Sequence, residues 1–241
     1  MPFLRKYITL IFALCAALSL HSQSFIEGSV GLTRNGFFHF DKETQSTRVE
    51  EQIGQIFTMS LSRDIRDKTF LKYGLIFERY RSKYITENSD GKSSFGSSLL
   101  TDVNYLGLRI GGEERIIEKN AFTVSLTIHL NSGFQLNNRT SGTSYKFIPI
   151  TLDGPNNEKY SIFIKEDSEY NRENLDEINS FYIGLELGAM FGYLISNKFS
   201  LQFITAYSVV ITPFFVEMPF NLWRNSLQFR VGASYRLSSG S

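Results

Sequence analysis

From Leu227 to Leu237 the chain alternates without a break. Leu227, Phe229, Val231, Ala233, Tyr235 and Leu237 interleave with Gln228, Arg230, Gly232, Ser234 and Arg236. A strand sends successive side chains to opposite faces, so this stretch has one apolar face and one polar, charged face. The same period recurs after residue 24, and no long 3.6-residue period competes with it. Residues 181–195 set Phe181, Ile183, Leu185, Leu187, Ala189, Phe191, Tyr193 and Ile195 against Gly184, Glu186, Gly188 and Gly192. Residues 199–212 and 121–134 alternate in the same way, and rougher versions lie at 25–34, 53–63, 70–81 and 99–111. With 226–237 this predicts eight strands. Each runs to about ten residues or more, longer than the roughly 5–6 usual in globular proteins and matched to the roughly 9–11 of a tilted membrane-crossing strand.

Alternation alone fits two barrels. A soluble lipocalin-like barrel turns its apolar face inward, whereas a membrane barrel turns it to lipid and lines its lumen with polar side chains. The residue types favour the second. Ser200, Gln202, Ala206, Ser208, Gln228, Gly232 and Ser234 are small or uncharged, where a water-exposed strand face would carry dense Lys and Glu. Small residues suit the cramped interior of an eight-stranded barrel. Phe181, Tyr193, Phe199 and Tyr235 stand towards strand ends, as an interfacial girdle requires.

The first residues, MPFLRKYITLIFALCAALSLHSQ, have a basic start at Arg5 and Lys6, an apolar run from Tyr7 to Leu20, and small and polar residues at Ser22 and Gln23. This is a secretory signal peptide, 1–23, ahead of a barrel domain, 24–241. Cys15 lies within the apolar run behind Leu14, which is too large for a lipoprotein signal. The exported chain therefore has no cysteine for a disulfide, and barrel closure must supply its stability. Losing Arg5 and Lys6 takes the formal charge from +1 to −1, so charge makes no case for nucleic acid as a partner.

The predicted connections alternate between long (41–52, 86–94, 137–179 and 213–221) and shorter (63–68, 112–120 and 196–198). That is the pattern of long external loops and short periplasmic turns. Within 137–179, YKFIPITL and KYSIFIKE flank DGPNNE, a hairpin signature. Two further wall strands would make ten. Pro149, which cannot donate to a ladder, argues instead for a hairpin projecting above the barrel.

NYLGLRIG in the fourth strand, SFYIGLELGAMFGYLISNKFSLQFITAYSVVI as a hairpin and the closing NSLQFRVGASYRL resemble the PorT-type and OmpA-like outer-membrane β-barrels of Bacteroidota. The resemblance spans roughly 24–238 as a pattern with weak motifs. It implies an outer-membrane location in a Gram-negative bacterium and admits a role in secretion or envelope assembly. Such barrels usually end on an aromatic residue read by the insertion machinery, whereas this last strand ends at Leu237 before SSGS.

Read from the alternation, Glu27, Lys72, Glu78, Arg109, Glu186, Arg230 and Arg236 face the lumen. Buried charges must be paired, so these predict a lumen charge network rather than an ion path, with Glu27, Glu78 and Glu186 answering Arg230 and Arg236. His129 faces the same side among Ser125, Thr127 and Asn131, as a lumen polar site. It cannot form a catalytic pair with Ser132, which lies on the opposite face of the strand. His39 has no motif around it, and Glu113–Glu114 reads as part of a periplasmic turn. GLRIGG is followed by no helix, so it is no phosphate loop, and no metal-ligand cluster occurs. The charged run 165–177 reads as solvated surface.

The sequence thus predicts an all-β, eight-stranded antiparallel up-and-down transmembrane β-barrel, with ten strands as the alternative. Both termini would be periplasmic. It would be a monomer with no cofactor, no metal and no catalytic residues. Its partners would be outer-membrane lipid, the barrel insertion machinery and an envelope or extracellular protein bound through the loops. Two other readings stay open: an outer-membrane lipid-modifying barrel enzyme, and a soluble secreted ligand-binding barrel with its faces inverted.

Overall fold

Strands that face lipid cannot leave backbone groups unpaired, so a sheet built from them has to close on itself. In the computed structural model, which describes residues 24–39, 47–89, 94–153, 159–176, 178–214 and 222–237, it closes. The strands, all antiparallel, are β1 (Ser24–His39), β2 (Thr47–Arg66), β3 (Thr69–Ser89), β4 (Ser94–Lys119), β5 (Phe122–Asp153), β6 (Lys159–Glu173), β7 (Phe181–Leu194), β8 (Phe199–Val210) and β9 (Leu222–Leu237). Eight make the wall in the order β4-β3-β2-β1-β9-β8-β7-β5, and β4 pairs with β5 to complete the ring. The first and last strands meet from Ser24 opposite Leu237 to His39 opposite Leu222. The fold is an eight-stranded antiparallel transmembrane β-barrel. The expected leader, 1–23, with Cys15, and the four residues after Leu237 lie outside the described residues.

The two faces differ in kind. Ile26, Val30, Leu32, Phe57, Met59, Leu108, Ile128, Leu187, Phe203, Phe229 and Val231 stand exposed on the outer wall, while Ser29, Thr58, Lys72, Thr127, Gln202, Gln228 and Arg230 are buried inside. A soluble barrel has the opposite arrangement, so the inverted-face reading is not met. Aromatic pairs mark the edges of the apolar band. Phe122 and Tyr193 lie 4.9 Å apart at the short-turn end, and Phe134 and Phe181 lie 5.0 Å apart towards the other.

The wall is uneven in height. β7 and β8 have 14 and 12 residues, little more than a crossing needs. β3, β4 and β5 have 21, 26 and 32. Their upper parts continue above the apolar band as sheet. β5 serves two neighbours in turn: Phe122 to Phe134 pairs with β7, and Arg139 to Asp153 pairs with β6. Between them the Asn138 side chain accepts from the Leu175 N–H at 2.7 Å and donates to the Leu175 carbonyl at 3.0 Å. It thereby acts as a strand partner where the chain leaves β6. The segment 137–179 is thus a raised hairpin, and β6 is not a wall strand.

Two expected connections are largely strand. The stretch 112–120 reads as a turn, yet β4 runs on to Lys119, with a register shift between Arg115 and Ile117. The reversal comes at Asn120 and Ala121, where Asn120 takes φ 55°, a left-handed value that Asn tolerates. Likewise β3 and β4 extend to Ser89 and back to Ser94. Polar residues there mark the exit from lipid and do not end the ladder.

The faces can be checked with nitroxides, because Cys15 is the only cysteine to replace. Labels at Leu187→Cys and Val231→Cys should be relaxed by lipid-dissolved oxygen. One at Glu169→Cys, on β6, should instead respond to a water-soluble nickel complex. Nickel accessibility at Val231 would overturn the assignment of faces.

Candidate functional site: the sealed lumen

The inward positions of five strands bring eight charged side chains together, four acids and four bases. On β3, Lys72 Nζ donates to Glu27 of β1 at 2.6 Å and lies 2.5 Å from Glu113 of β4. Ser125 of β5 donates to the same Glu113 at 2.7 Å. One level up, Glu186 of β7 receives Arg109 of β4 and Arg230 of β9, each at 2.6 Å on Oε1, while Asn131 donates to Oε2 at 3.1 Å. Near the mouth, Arg224 of β9 reaches Glu78 of β3 at 3.3 Å. Glu186 and Arg230 have 0 % side-chain exposure, so neither charge has water to fall back on. Placing ions in such surroundings costs several kcal/mol per ion unless opposite charges answer them at this range.

Space for these side chains comes from glycine. A Cβ on Gly31 would lie 2.7 Å from Arg230 Cα and Cγ, and one on Gly111 would lie 2.7 Å from His129 Cδ2. A cavity of about 20 Å³ remains, lined by Glu27, Lys72, Thr127, His129 and Arg230 among others. That is room for about one water and no column of them.

His129 is 2 % exposed, and its Nδ1 lies 2.8 Å from an Arg109 nitrogen. A guanidinium only donates, so Nδ1 accepts and carries no proton. A histidine closed in this way has no approach for a lipid substrate. It orients Arg109 towards Glu186.

The outer mouth is closed by apolar side chains. Ile178, with Leu175, descends from the β6–β7 connection, and Phe214 from the chain after β8. They pack on Tyr80, Tyr84, Val103, Tyr105, Tyr182 and Val210. Asn179 fastens the two segments: its N–H donates to the Phe214 carbonyl at 2.8 Å and its amide to the Pro213 carbonyl at 3.3 Å. Beneath the plug the Arg224 guanidinium sits 4.5, 4.7 and 4.6 Å from the rings of Tyr80, Tyr105 and Tyr182. Cation–π attraction is strongest where water is excluded, where a contact contributes about 2 kcal/mol or more, against about 0.5–1 kcal/mol at exposed sites.

Of the seven charges read from the alternation, Glu27, Lys72, Glu78, Arg109, Glu186 and Arg230 lie in this network, though their pairing differs. Glu27 answers Lys72, and Glu78 answers Arg224. Arg236 faces inward at the short-turn end, half-exposed, with its guanidinium 5.2 Å from the Phe25 ring. Among the described residues no carboxylate lies within ion-pair distance of it, so it stands outside the network. Glu113 and Arg224 are members that sequence reasoning passed over. Glu113 is not in a turn. The signal for both was the alternation itself: two steps of two beyond Arg109 reach Glu113, and three steps back from Arg230 reach Arg224. For His39, at the end of β1, only the backbone position is described.

No protein-family model and no curated protein matches the chain. Among solved structures it is similar to Neisserial surface protein A, at 12 % identity and TM-score 0.43, covering 89 % of this chain and 97 % of that one. It is similar to the outer membrane protein OprG from Pseudomonas aeruginosa, at 11 % identity and TM-score 0.44, covering 90 % and 96 %. It is also similar to the outer membrane protease OmpT from Escherichia coli, at 8 % identity and TM-score 0.46, covering 89 % and 97 %. At such identities and scores these likenesses say nothing of activity, and the fold assignment rests on the closed sheet and its faces.

Glu186→Gln should be the most damaging single change in the lumen, because it leaves two guanidiniums without their counter-charge. The expected loss is about 3–5 kcal/mol. It is read as a lower midpoint for the heat-induced gel-mobility shift of the detergent-folded barrel. Arg230→Ala should lower the midpoint less, and Arg236→Ala by about 1 kcal/mol or under. An unchanged midpoint for Glu186→Gln would remove the carboxylate from the network.

Proposed function

We propose that the chain is a non-enzymatic outer-membrane barrel of a Gram-negative bacterium, which anchors and presents a raised sheet to a partner in the envelope or outside the cell. The observation that carries this reading is the division of the molecule. Inside, four acids and four bases pair at 2.5–3.3 Å under an apolar plug. Outside, the longest strands rise well past the membrane on one side only. A pore needs a wet lumen, and a barrel enzyme needs a nucleophile beside a base with room for substrate. Among the described residues the lumen has neither feature, and the hairpin of β5 and β6 is the large surface raised clear of the wall.

Several features support the location. The apolar band stands on the outside of a ring with no open edge at membrane depth, and a secretory leader precedes it in the sequence. Lipid is then the first partner, the insertion machinery acts on the closing strand β9, and one chain completes the barrel. A role in secretion or envelope assembly suits a sealed anchor with a projecting sheet.

Two measurements test the reading. In planar bilayers the protein should show no stepwise conductance, and open-channel currents would overturn the sealed-lumen premise. In cells of the host, p-benzoylphenylalanine in place of Tyr170 should give a discrete cross-linked species under ultraviolet light. Its absence, with the barrel correctly inserted, would overturn presentation by the hairpin.

A further inference from the structure

The raised hairpin has one edge with nothing on it. β6 pairs with β5 in an unbroken register from Arg139 opposite Glu173 to Asp153 opposite Lys159, and among the described residues no strand pairs with its other side. Which backbone groups face that open side follows from two observations. The Asn174 N–H donates to the Asn138 carbonyl at 3.0 Å, so even-numbered positions on both chains point at each other. Pro149, opposite Phe163, has no N–H to give, and an odd position on β5 turns its nitrogen away from β6. There it also lies beyond the last β4 pairing, Ser94 opposite Phe147, so the missing donor costs nothing. In an antiparallel ladder these directions alternate strictly. The N–H and C=O groups of Lys165, Asp167, Glu169, Asn171 and Glu173 therefore face outward in a row, at about 6.8 Å spacing.

The side chains along this edge are sorted by charge. From Ile164 to Asp176 the acids Glu166, Asp167, Glu169, Glu173 and Asp176 outnumber the bases Lys165 and Arg172, and all are exposed. Lys165 is already engaged by Asp167 at 2.8 Å. Unpaired strand edges invite another strand, and charge on them selects which. A second copy of this chain would bring acids against acids, which disfavours self-pairing.

We propose that β6 is a strand-addition site, and that its occupant is an extended segment of a partner protein in which basic residues alternate with β-forming ones. This rests on the reading that the hairpin is the presenting surface, and it names how that surface binds. The backbone row supplies the attraction common to any strand. The acidic side chains supply the preference.

The probe is a fluorescein-labelled peptide of about nine residues in which lysine alternates with threonine and valine, titrated against the folded full-length barrel. Saturable binding is expected, weakened by salt and absent for the glutamate counterpart of the peptide. The double variant Asp167→Pro/Glu169→Pro removes two outward N–H groups and crowds the edge without touching a β5–β6 bond. It should weaken binding at least about tenfold, which corresponds to 1.4 kcal/mol, with the gel-mobility midpoint unchanged. Equal binding of the acidic peptide would overturn the basic partner. Binding that survives the proline pair but disappears when Ser144 and Ser168 are joined by a short turn would overturn strand addition and leave the hairpin as a presenting surface. No binding by the basic peptide would overturn strand addition, and the Tyr170 cross-link would then decide separately whether the hairpin presents at all.

Discussion

The barrel is organised around one carboxylate with no solvent exposure. Glu186 receives two guanidiniums on the same oxygen and an amide on the other. The two arginines stand on β4 and β9, and Glu186 on β7; none of these three strands pairs with another in the sheet. The interaction therefore spans the ring where backbone hydrogen bonds only run around it. Lys72 with Glu27 does the same between β3 and β1, and Arg224 with Glu78 between β9 and β3. A ring of ladders fixes the order of the strands. Charges paired across it fix the shape of its cross-section, because each pair tolerates little change in distance before the desolvation cost is uncompensated.

Four acids answer four bases in the lumen, and among the described residues side chains nearly fill it. The glycines that admit the large side chains belong to the same solution, since eight strands enclose little more than side chains can fill. The plug of Ile178 and Phe214 then shields Arg224 and its tyrosines from the outer medium, so that attraction there acts in dry surroundings. What the molecule can still offer lies above the membrane.

The wall was legible because a crossing strand obeys two rules at once, period two and apolar-to-lipid, and Leu227–Leu237 follows both without exception. The lumen was legible only where that alternation was followed to its end. Glu113 was hidden by Gly111, Gly112 and a second glutamate, which look like a turn because turns are also polar and glycine-rich. Arg224 was hidden because β9 begins before its apolar alternation does. The pairings were not legible at all. Which acid meets which base depends on the stagger between strands, and the bulges at Leu136 and Ile116 alter that stagger without leaving a mark in composition. Arg236 shows the converse. Its position in the alternation points inward correctly, but it lies so near the end of the barrel that Phe25, and no carboxylate, is what it meets.

β5 belongs both to the wall and to the raised sheet. Its lower part is wall, held by β7 and by apolar contact with lipid; its upper part is the inner strand of a hairpin in water. A strand that continued past its neighbour would expose one edge at the crossover, and the structure meets this with two backbone bonds, Gln135 N–H to the Ser180 carbonyl and Asn174 N–H to the Asn138 carbonyl, and with one side chain. The Asn138 amide supplies both a donor and an acceptor to Leu175, as a residue of a partner strand would. That contact ends β6 and turns the chain inward, and the next few residues deliver Leu175 and Ile178 to the plug. The raised sheet and the closed mouth are therefore one construction. The segment that seals the barrel is the continuation of the strand whose far edge stays open.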